Sequence, residues 1–245
     1  MRLLIYNIAY GTGSPRNHWQ ALAGAANYLR TSERYFNSII RLVRHYRPDA
    51  AGVLEIDHGS FRTGGKSQLE ALAEELQAPF NGAFSCKYAP DSFLSKLPYC
   101  RHQTNMLFFR NGSVDTEWNE FMPCGGKRLI RCAVFQDVKI LLVHLALSRS
   151  VRKRQLNYLE TLIESGKKYI ICGDFNTFAG ARELSDFMQK NHLQSANEKH
   201  QPTYPARTPV KELDYILYSE NMQLQNFRVI RFPGSDHLPL LADFT

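Results

Sequence analysis

The chain has 245 residues, of which 44% are hydrophobic, and its formal net charge is +7. This composition supports one large core, and no apolar run is long enough for a membrane-spanning helix, which excludes that class of membrane protein. The positive charge favours anionic partners, but Lys and Arg are spread along the chain, so it permits phosphate-bearing substrates without requiring nucleic acid.

The cysteines indicate a reducing compartment. No two of the five cysteines have the spacing of a zinc knuckle or a redox motif. Cys132 and Cys172 lie in apolar runs, where we expect them to be small buried hydrophobic residues. The first predicted strand begins at residue 2 and leaves no room for a signal peptide. We therefore expect a soluble, cytoplasmic protein.

Hydrophobic periodicity predicts alternating strands and helices in the first part of the chain. Strands are predicted at RLLIYNIAY (2–10) and AAGVLEI (50–56), with a helix over 32–46 between them. Ser67 and Glu70 have the spacing of a capping box, which predicts the start of a second helix.

The remainder of the chain is predicted to contain mainly strands. The link Gln136-Asp137 between two of them predicts an antiparallel hairpin. Helices are predicted over 149–165 and 181–191. The predicted strands are NMLFFR (105–110), RLIRCAVFQ (128–136), KILLVHLAL (139–147), YIIC (169–172), LDYILYS (213–219), QNFRVIRF (225–232) and LPLLADF (238–244).

This order of elements indicates an α/β (α+β) protein. We find no internal repeat and no linker, so residues 1–245 are predicted to form one domain. Strands and helices alternate early and mix later, which favours a two-sheet sandwich flanked by helices over a purely parallel wound sheet.

Polar residues stand at or near the ends of the predicted strands. Any one of them alone is more typical of a turn or of a hydrogen-bonded core residue. Their recurrence in one domain favours a common site. They are Asn7, Glu55, His144, Asp174, Asn176, Asp214, Ser235, Asp236 and His237.

The residue types indicate phosphoester chemistry. Glu55, Asp174 and Asn176 offer hard oxygen ligands, which suit Mg²⁺ or Mn²⁺ rather than zinc. His237 is a candidate general base, and Asp214 is the natural carboxylate to orient its ring.

His144 and Asn7 are candidate donors toward developing negative charge. A metal ion, a base and such donors together are typical of attack by activated water on a phosphate ester.

The sequence resembles the endonuclease/exonuclease/phosphatase superfamily over residues 3–244. The motifs that carry the resemblance, in order, are IYNIAYG, GVLEID, LVHLAL, CGDFNT, ELDYILYS and SDHLPLLADF. The resemblance implies the fold of pancreatic deoxyribonuclease, which is a four-layered α/β/β/α sandwich of two mixed β-sheets with the site at one edge.

The resemblance also implies roles for individual residues. Glu55 corresponds to the principal Mg²⁺ ligand, with Asn7 beside it, and Asp236 corresponds to a candidate ligand of a second metal ion. Asp174 corresponds to the residue that aligns the attacking water, and Asn176 to a phosphate contact.

His237 corresponds to a base or charge-stabilising histidine paired with Asp214. His144 corresponds to a histidine of the deoxyribonuclease and phospholipase branches. The nuclease pairs that histidine with a glutamate on the preceding strand, where this chain offers Gln103 or Asn105 instead.

The substrate is expected to be a phosphodiester held by basic residues near the site. Arg149 and Arg152 lie on a predicted helix start that follows His144, and Arg16 lies in a glycine-rich loop that follows Asn7. Nucleic acid is the first candidate, followed by a phospholipid or another small phosphodiester, and then by an inositol phosphate. A non-catalytic phosphate-binding protein is the rival from another class, and the sequence indicates no protein partner.

Overall fold

The computed structural model describes residues 1–14, 31–80, 84–98, 100–112 and 114–245. The strands in these ranges are β1 (Arg2–Asn7), β2 (Ala50–Asp57), β3 (Gln103–Phe109), β4 (Thr116–Phe121), β5 (Leu129–Phe135), β6 (Val138–His144), β7 (Lys168–Asp174), β8 (Leu193–Ser195), β9 (Asp214–Ser219), β10 (Leu224–Val229) and β11 (Leu240–Phe244). The α-helices are α1 (Glu33–Tyr46), α2 (Gln68–Leu76), α3 (Phe93–Lys96), α4 (Arg149–Glu160) and α5 (Ser185–Lys190).

The strands form two mixed sheets. The first has the order β10-β11-β1-β2-β3, and the second has the order β4-β5-β6-β7-β9-β8. Each sheet contains one parallel pair, β1 with β2 and β6 with β7, among antiparallel neighbours. The expected α+β architecture with two mixed sheets is therefore confirmed.

Three apolar clusters hold the layers together. The inner cluster joins the facing sides of the two sheets, with Ile5 and Leu107 from one and Ile140 and Ile170 from the other. A second cluster packs α1 and α2 against the outer face of the first sheet. A third packs α4 and α5 against the outer face of the second sheet. The result is the four-layered arrangement that the resemblance implies.

The sheets approach each other closely at Gly52 in β2. A methyl group on Gly52 would lie 2.7 Å from Ile5 Cδ1 and 2.8 Å from Leu142 Cδ1. Ile5 belongs to the same sheet as Gly52, whereas Leu142 belongs to the facing sheet. Glycine here sets how closely the two sheets pack.

Most predicted elements match the structure, with shifted ends. The hairpin link at Gln136 and Asp137 is confirmed, and both residues have left-handed backbone angles. Ser67 caps α2 by accepting a hydrogen bond from the Glu70 amide at 3.1 Å. The predicted helix over 149–165 is shorter, ending at residue 160.

Two of the strands and one of the α-helices were not predicted. Strand β4 has the polar sequence TEWNEF and lies at a sheet edge, half exposed, so it lacks the apolar pattern of a buried strand. Strand β8 and helix α3 have three and four residues, which is too short for a periodic signal.

Strand polarity gathers the polar strand ends at one edge of the sandwich, here termed the site edge. Asn7 ends β1 and Glu55 stands near the end of β2, which runs parallel to β1. In the second sheet, His144 of β6 is in register with Asp174 of β7, which is in register with Asp214 of β9. The topology therefore brings together residues far apart in sequence.

Within the described ranges, no helix is long and apolar enough to cross a membrane. Cys132 and Cys172 are buried, as expected.

Gly173 provides a test of the backbone next to Asp174. Its φ is +130°, and a methyl group there would lie 2.0 Å from the Val143 carbonyl oxygen. We expect Gly173→Ala to lower the free energy of unfolding by about 3 kcal/mol or more, because both the angle and the clash oppose it. Urea denaturation measures this.

Gly166→Ala is the matched control, because Gly166 has φ +80° but open space around it. We expect it to cost only about 1 kcal/mol. Equal losses of unfolding free energy in the two variants would show that the contact with the Val143 carbonyl oxygen adds nothing to the effect of the backbone angle.

Candidate active site

Asp174 is the residue on which the site converges. Its Oδ2 accepts a hydrogen bond from Asn7 Nδ2 at 3.1 Å and lies 3.2 Å from His144 Nε2 and 3.9 Å from His237 Nε2. Its Oδ1 accepts a hydrogen bond from the backbone N–H of Asn176 at 3.0 Å. Burial alone would raise the pKa of Asp174, but the two histidines outweigh it and lower the pKa to about 2. The carboxylate is therefore ionised at neutral pH.

His237 forms a buried dyad with Asp214. Its Nδ1 donates to Asp214 Oδ2 at 2.8 Å. The Thr203 hydroxyl donates to the same oxygen at 2.6 Å, and the Tyr204 ring lies 5.0 Å from the imidazole. Burial opposes protonation of His237, but Asp214 and Asp174 raise its pKa to about 10. The ring is an imidazolium at neutral pH, with Nε2 directed toward Asp174.

Glu55 has an unusual backbone conformation for a strand residue. Its φ is +54°, and the pairing of β2 with β3 shifts register between Val53 and Ile56. Asn105 Oδ1 accepts the Glu55 amide at 3.1 Å, which replaces the ladder hydrogen bond lost at the bulge. A left-handed glutamate is strained, and such strain is typical of functional positions.

Two lysines neutralise Glu55. Its Oε1 lies 3.3 Å from Lys87 Nζ and 3.1 Å from Lys127 Nζ. Burial would raise the pKa of Glu55, but these ammonium groups hold it well below its usual value. Burial also lowers the pKa of Lys87 to about 8, although Glu55 opposes that shift.

Lys127 also contacts His144, which changes the expected partner of that histidine. Lys127 Nζ lies 2.5 Å from His144 Nε2. Burial, together with Lys127, lowers the pKa of His144 to about 4, so the ring is neutral at neutral pH. Its Nδ1 is buried without a hydrogen-bond partner and lies 3.8 Å from Glu55 Oε1.

The two residues suggested as partners of His144 are engaged elsewhere. Gln103 Oε1 accepts hydrogen bonds from the hydroxyls of Tyr10 and Tyr88, and Asn105 bonds the Glu55 backbone. Asn105 Nδ2 and His144 Nδ1 are both buried without a hydrogen-bond partner, so the pairing of His144 with Asn105 or Gln103 stays a prediction.

Asn176 has a mainly structural set of contacts. Its φ is +52°, and its Nδ2 donates to the Leu145 carbonyl at 2.9 Å. Its amide group therefore ties the loop after β7 to the end of β6. The expected contact between Asn176 and a phosphate stays a prediction.

The three arginines expected to bind substrate have different outcomes. Arg152 is buried, and its guanidinium donates to both carboxylate oxygens of Glu183 and to the carbonyls of Ala146 and Leu147. It is a structural residue, because no donor faces the site. The Arg149 side chain is 78% exposed at the start of α4, where it can meet a ligand. Arg16 lies outside the described residues.

The buried acids fit a hard divalent cation, with one complication. Ligand atoms of Asp174, Asp214 and His237 lie within 4.8 Å of one another, and Asp214 Oδ1 is buried without a hydrogen-bond partner. The two carboxylates suit Mg²⁺ or Mn²⁺, whereas the imidazolium form of His237 has no lone pair for an ion. The expected ligand Glu55 stands outside this group, and its Oε1 faces two ammonium groups. A metal ion at Glu55 would therefore compete with Lys127.

Asp236, the other carboxylate expected to bind metal, is half-buried beside His237. Its Oδ1 accepts a hydrogen bond from the Ser235 hydroxyl at 3.1 Å. Its role as a metal ligand stays a prediction.

Sequence reasoning missed Lys87, Lys127 and Thr203 as site residues. Lys87 lies in the long connection before β3, and Thr203 contacts Asp214 from a loop. No sequence pattern around either residue indicates that it belongs to the site. Lys127 follows Gly125 and Gly126 just before the buried strand β5, which is a weak signal that could have placed it at the site edge.

Comparison with known proteins is consistent with this geometry. The sequence model of the Endonuclease/Exonuclease/phosphatase family matches residues 5–237. No curated protein matches the sequence as a relative.

Solved structures share the whole fold at low sequence identity. A mannosyl-6-phosphatase from Bacteroides thetaiotaomicron has a TM-score of 0.71 at 14% identity, covering 100% of this chain and 99% of that one. An endonuclease/exonuclease/phosphatase family protein from the same organism gives 0.72 at 13%, covering 100% and 97%. The catalytic domain of human Nocturnin, with a bound sulfate anion, gives 0.66 at 20%, covering 100% and 93%. At these identities the likeness shows the fold alone.

Lys127 provides a test of competition at Glu55. We expect Lys127→Met to tighten Mn²⁺ binding by about tenfold, because it removes one of the two positive charges on that carboxylate. Titration followed by Mn²⁺ electron paramagnetic resonance measures the affinity without turnover. Lys139→Met is the control, since Lys139 pairs with Glu164. Unchanged or weaker binding in Lys127→Met would contradict competition.

His237 provides a test of the dyad through pH. Its pKa is raised from 6.5 in the unfolded chain to about 10 in the fold. The dyad therefore stabilises fully below about pH 6.5, and that stabilisation is lost as pH rises toward 10. In EDTA, the stability advantage of the wild type over His237→Gln should fall by up to about 1.4 kcal/mol per pH unit in that window.

Urea denaturation at several pH values measures this difference. His192→Gln is the control, because the His192 side chain is 80% exposed. A difference that does not change with pH would contradict a charged, paired His237.

Proposed function

The chain belongs to the endonuclease/exonuclease/phosphatase family, and from this membership we propose that it is a divalent-metal-dependent hydrolase of phosphodiesters. The observation that carries the proposal is the buried constellation around Asp174, in which a carboxylate stands between His144 and the Asp214-paired His237. Asn7 completes this arrangement from the other sheet.

The residues divide the work of an in-line hydrolysis. Asp174 accepts a hydrogen bond from the attacking water and aligns it with the phosphorus atom. As the new P–O bond forms, the attacking water loses a proton to solvent, and as the ester P–O bond breaks, the leaving oxygen takes up a proton from solvent. Negative charge grows on the phosphoryl oxygens during this step. The imidazolium of His237, held by Asp214, stabilises that charge.

The pKa of about 10 favours this charge-stabilising role for His237 over the general-base role. An imidazolium has no free nitrogen to accept a proton from water. Of the two roles that the family resemblance implies, the structure supports this one.

Glu55, with Asn7 beside it, would hold Mg²⁺, for which Mn²⁺ can substitute, once Lys127 gives up its contact with the carboxylate, and Asp236 would be a ligand of a second ion. When bound, the ion supplies charge neutralisation at the phosphoryl oxygens. Asn176 and Arg149 are proposed to contact the phosphate and the rest of the substrate. Nucleic acid, a phospholipid or another small phosphodiester, and an inositol phosphate remain the candidate substrates.

We also propose a reducing, cytoplasmic location. All five cysteines are free thiols, and Cys132 and Cys172 are buried among apolar side chains.

The test is Mg²⁺-dependent release from bis-p-nitrophenyl phosphate, plasmid DNA and a labelled phospholipid. We expect turnover of at least one substrate, lost in EDTA and lowered about 10²–10⁴-fold by Asp174→Asn and by His237→Ala. His192→Ala is the control, because it removes an exposed histidine from the opposite edge. Mg²⁺ binding without any turnover would instead support a non-catalytic phosphate-binding protein.

A further inference from the structure

Within the described ranges, the large exposed apolar side chains are confined to the site edge. All of them stand in connections at the ends of β2, β6 and β7 or at the starts of β3 and β9, which the strand polarity places at that edge. Among the described residues, the large exposed hydrophobic side chains are Phe61, Phe93, Leu94, Leu147, Phe178 and Val210.

Two of these residues, Phe178 and Val210, are linked to His237 through Tyr204. The Phe178 ring lies 6.3 Å from the Tyr204 ring, which in turn lies 5.0 Å from the imidazole of His237. The Val210 amide donates to the Tyr204 carbonyl at 2.9 Å. Leu147 follows His144 by three residues, and its side chain is exposed.

Basic side chains alternate with this apolar set. Lys211 Nζ donates to the Phe178 carbonyl at 3.1 Å, so its charge is held at the mouth of the site. The exposed acid near Phe93 is Asp91, which is paired with Arg128 at 3.1 Å. The exposed apolar residues with a basic neighbour are Leu94 with Lys96, Leu147 with Arg149, and Val210 with Lys211.

We propose that the rim formed by Phe93, Leu94, Leu147, Phe178 and Val210, with its basic neighbours, docks on a lipid surface that carries anionic headgroups. The apolar side chains enter the headgroup region, and the ammonium and guanidinium groups pair with the anionic lipids. Because the rim lies at the same edge of the sandwich as Asp174, the phosphoester that reaches Asp174 is a lipid headgroup. This substrate class rests on the proposed function, whereas the docking itself does not.

The composition of the rim favours lipid over other partners. Single-stranded nucleic acid is gripped by stacking on aromatic rings, which Phe93 and Phe178 offer, but the other three rim residues, Leu94, Leu147 and Val210, have no ring to stack. A second copy of the chain would bring one basic rim against another, and this repulsion opposes self-association. Aliphatic side chains beside cations are instead typical of surfaces that enter a bilayer interface.

Vesicle co-sedimentation tests the docking. The wild type should bind vesicles of phosphatidylcholine with phosphatidylserine, and the binding should weaken in high salt and on phosphatidylcholine alone. Leu147→Ser/Val210→Ser should bind at least about tenfold more weakly, because two aliphatic groups no longer leave water. Lys167→Ser/Gln223→Ser is the matched control, since these two exposed residues lie at the opposite edge.

Hydrolysis of bis-p-nitrophenyl phosphate separates the two proposals. The small diester needs no docking, so the wild type and Leu147→Ser/Val210→Ser should cleave it equally. Cleavage of the phospholipid in vesicles should fall with binding in the same variant. If the wild type binds vesicles but cleaves no diester, the docking stands and the proposed function fails.

Two results would overturn the docking. One is a wild type that cleaves the soluble diester but binds neither kind of vesicle. The other is equal vesicle binding by Leu147→Ser/Val210→Ser and the wild type. Salt-sensitive binding of single-stranded DNA without vesicle binding would assign the rim to nucleic acid.

Discussion

The structure depends on one constraint, which is that carboxylates buried at a sheet edge need partners. Asp174 and Asp214 are almost inaccessible, and Glu55 is largely so. Each is paired with a cation, and the partners of Glu55 and Asp174 come from both sheets. Separating an acid from its partner would leave an uncompensated buried charge, which is strongly destabilising. The site and the joint between the sheets are therefore one electrostatic unit.

Local backbone strain serves the same unit. Glu55 and Asn176 both adopt left-handed conformations at strand ends, and Gly173 makes room for the turn beside Asp174. Such conformations persist only where surrounding contacts determine them, as the Asn105 hydrogen bond does for Glu55. The stability of the core thus offsets the strain at these strand ends, which hold their side chains in the site.

The sequence was informative where polar residues interrupt apolar strands. Asp174 and Glu55 could be assigned to one edge because strand polarity and family motifs agree. Lys87 and Thr203 could not, because each reaches the site from an irregular segment whose position only the folded chain defines. Arg152 was predicted to bind substrate because it is a basic residue at a helix start. The sequence pattern there is the same whether the side chain faces solvent or Glu183. For Lys87, Thr203 and Arg152, contacts with residues distant in sequence, rather than the local sequence pattern, determine where the side chain lies.

Because of Gly52, the geometry of the site depends on packing in a part of the core that is far from the site residues. Its missing side chain lets Ile5 and Leu142 approach between the sheets, and the hydrogen bond from Asn7 to Asp174 spans the same gap. The volume of the interior side chains therefore sets the distance between the two sheets, and with it the distance between site residues on opposite sheets. Related chains could change the distances between their site residues by exchanging interior residues for larger or smaller ones, while every site residue stays the same.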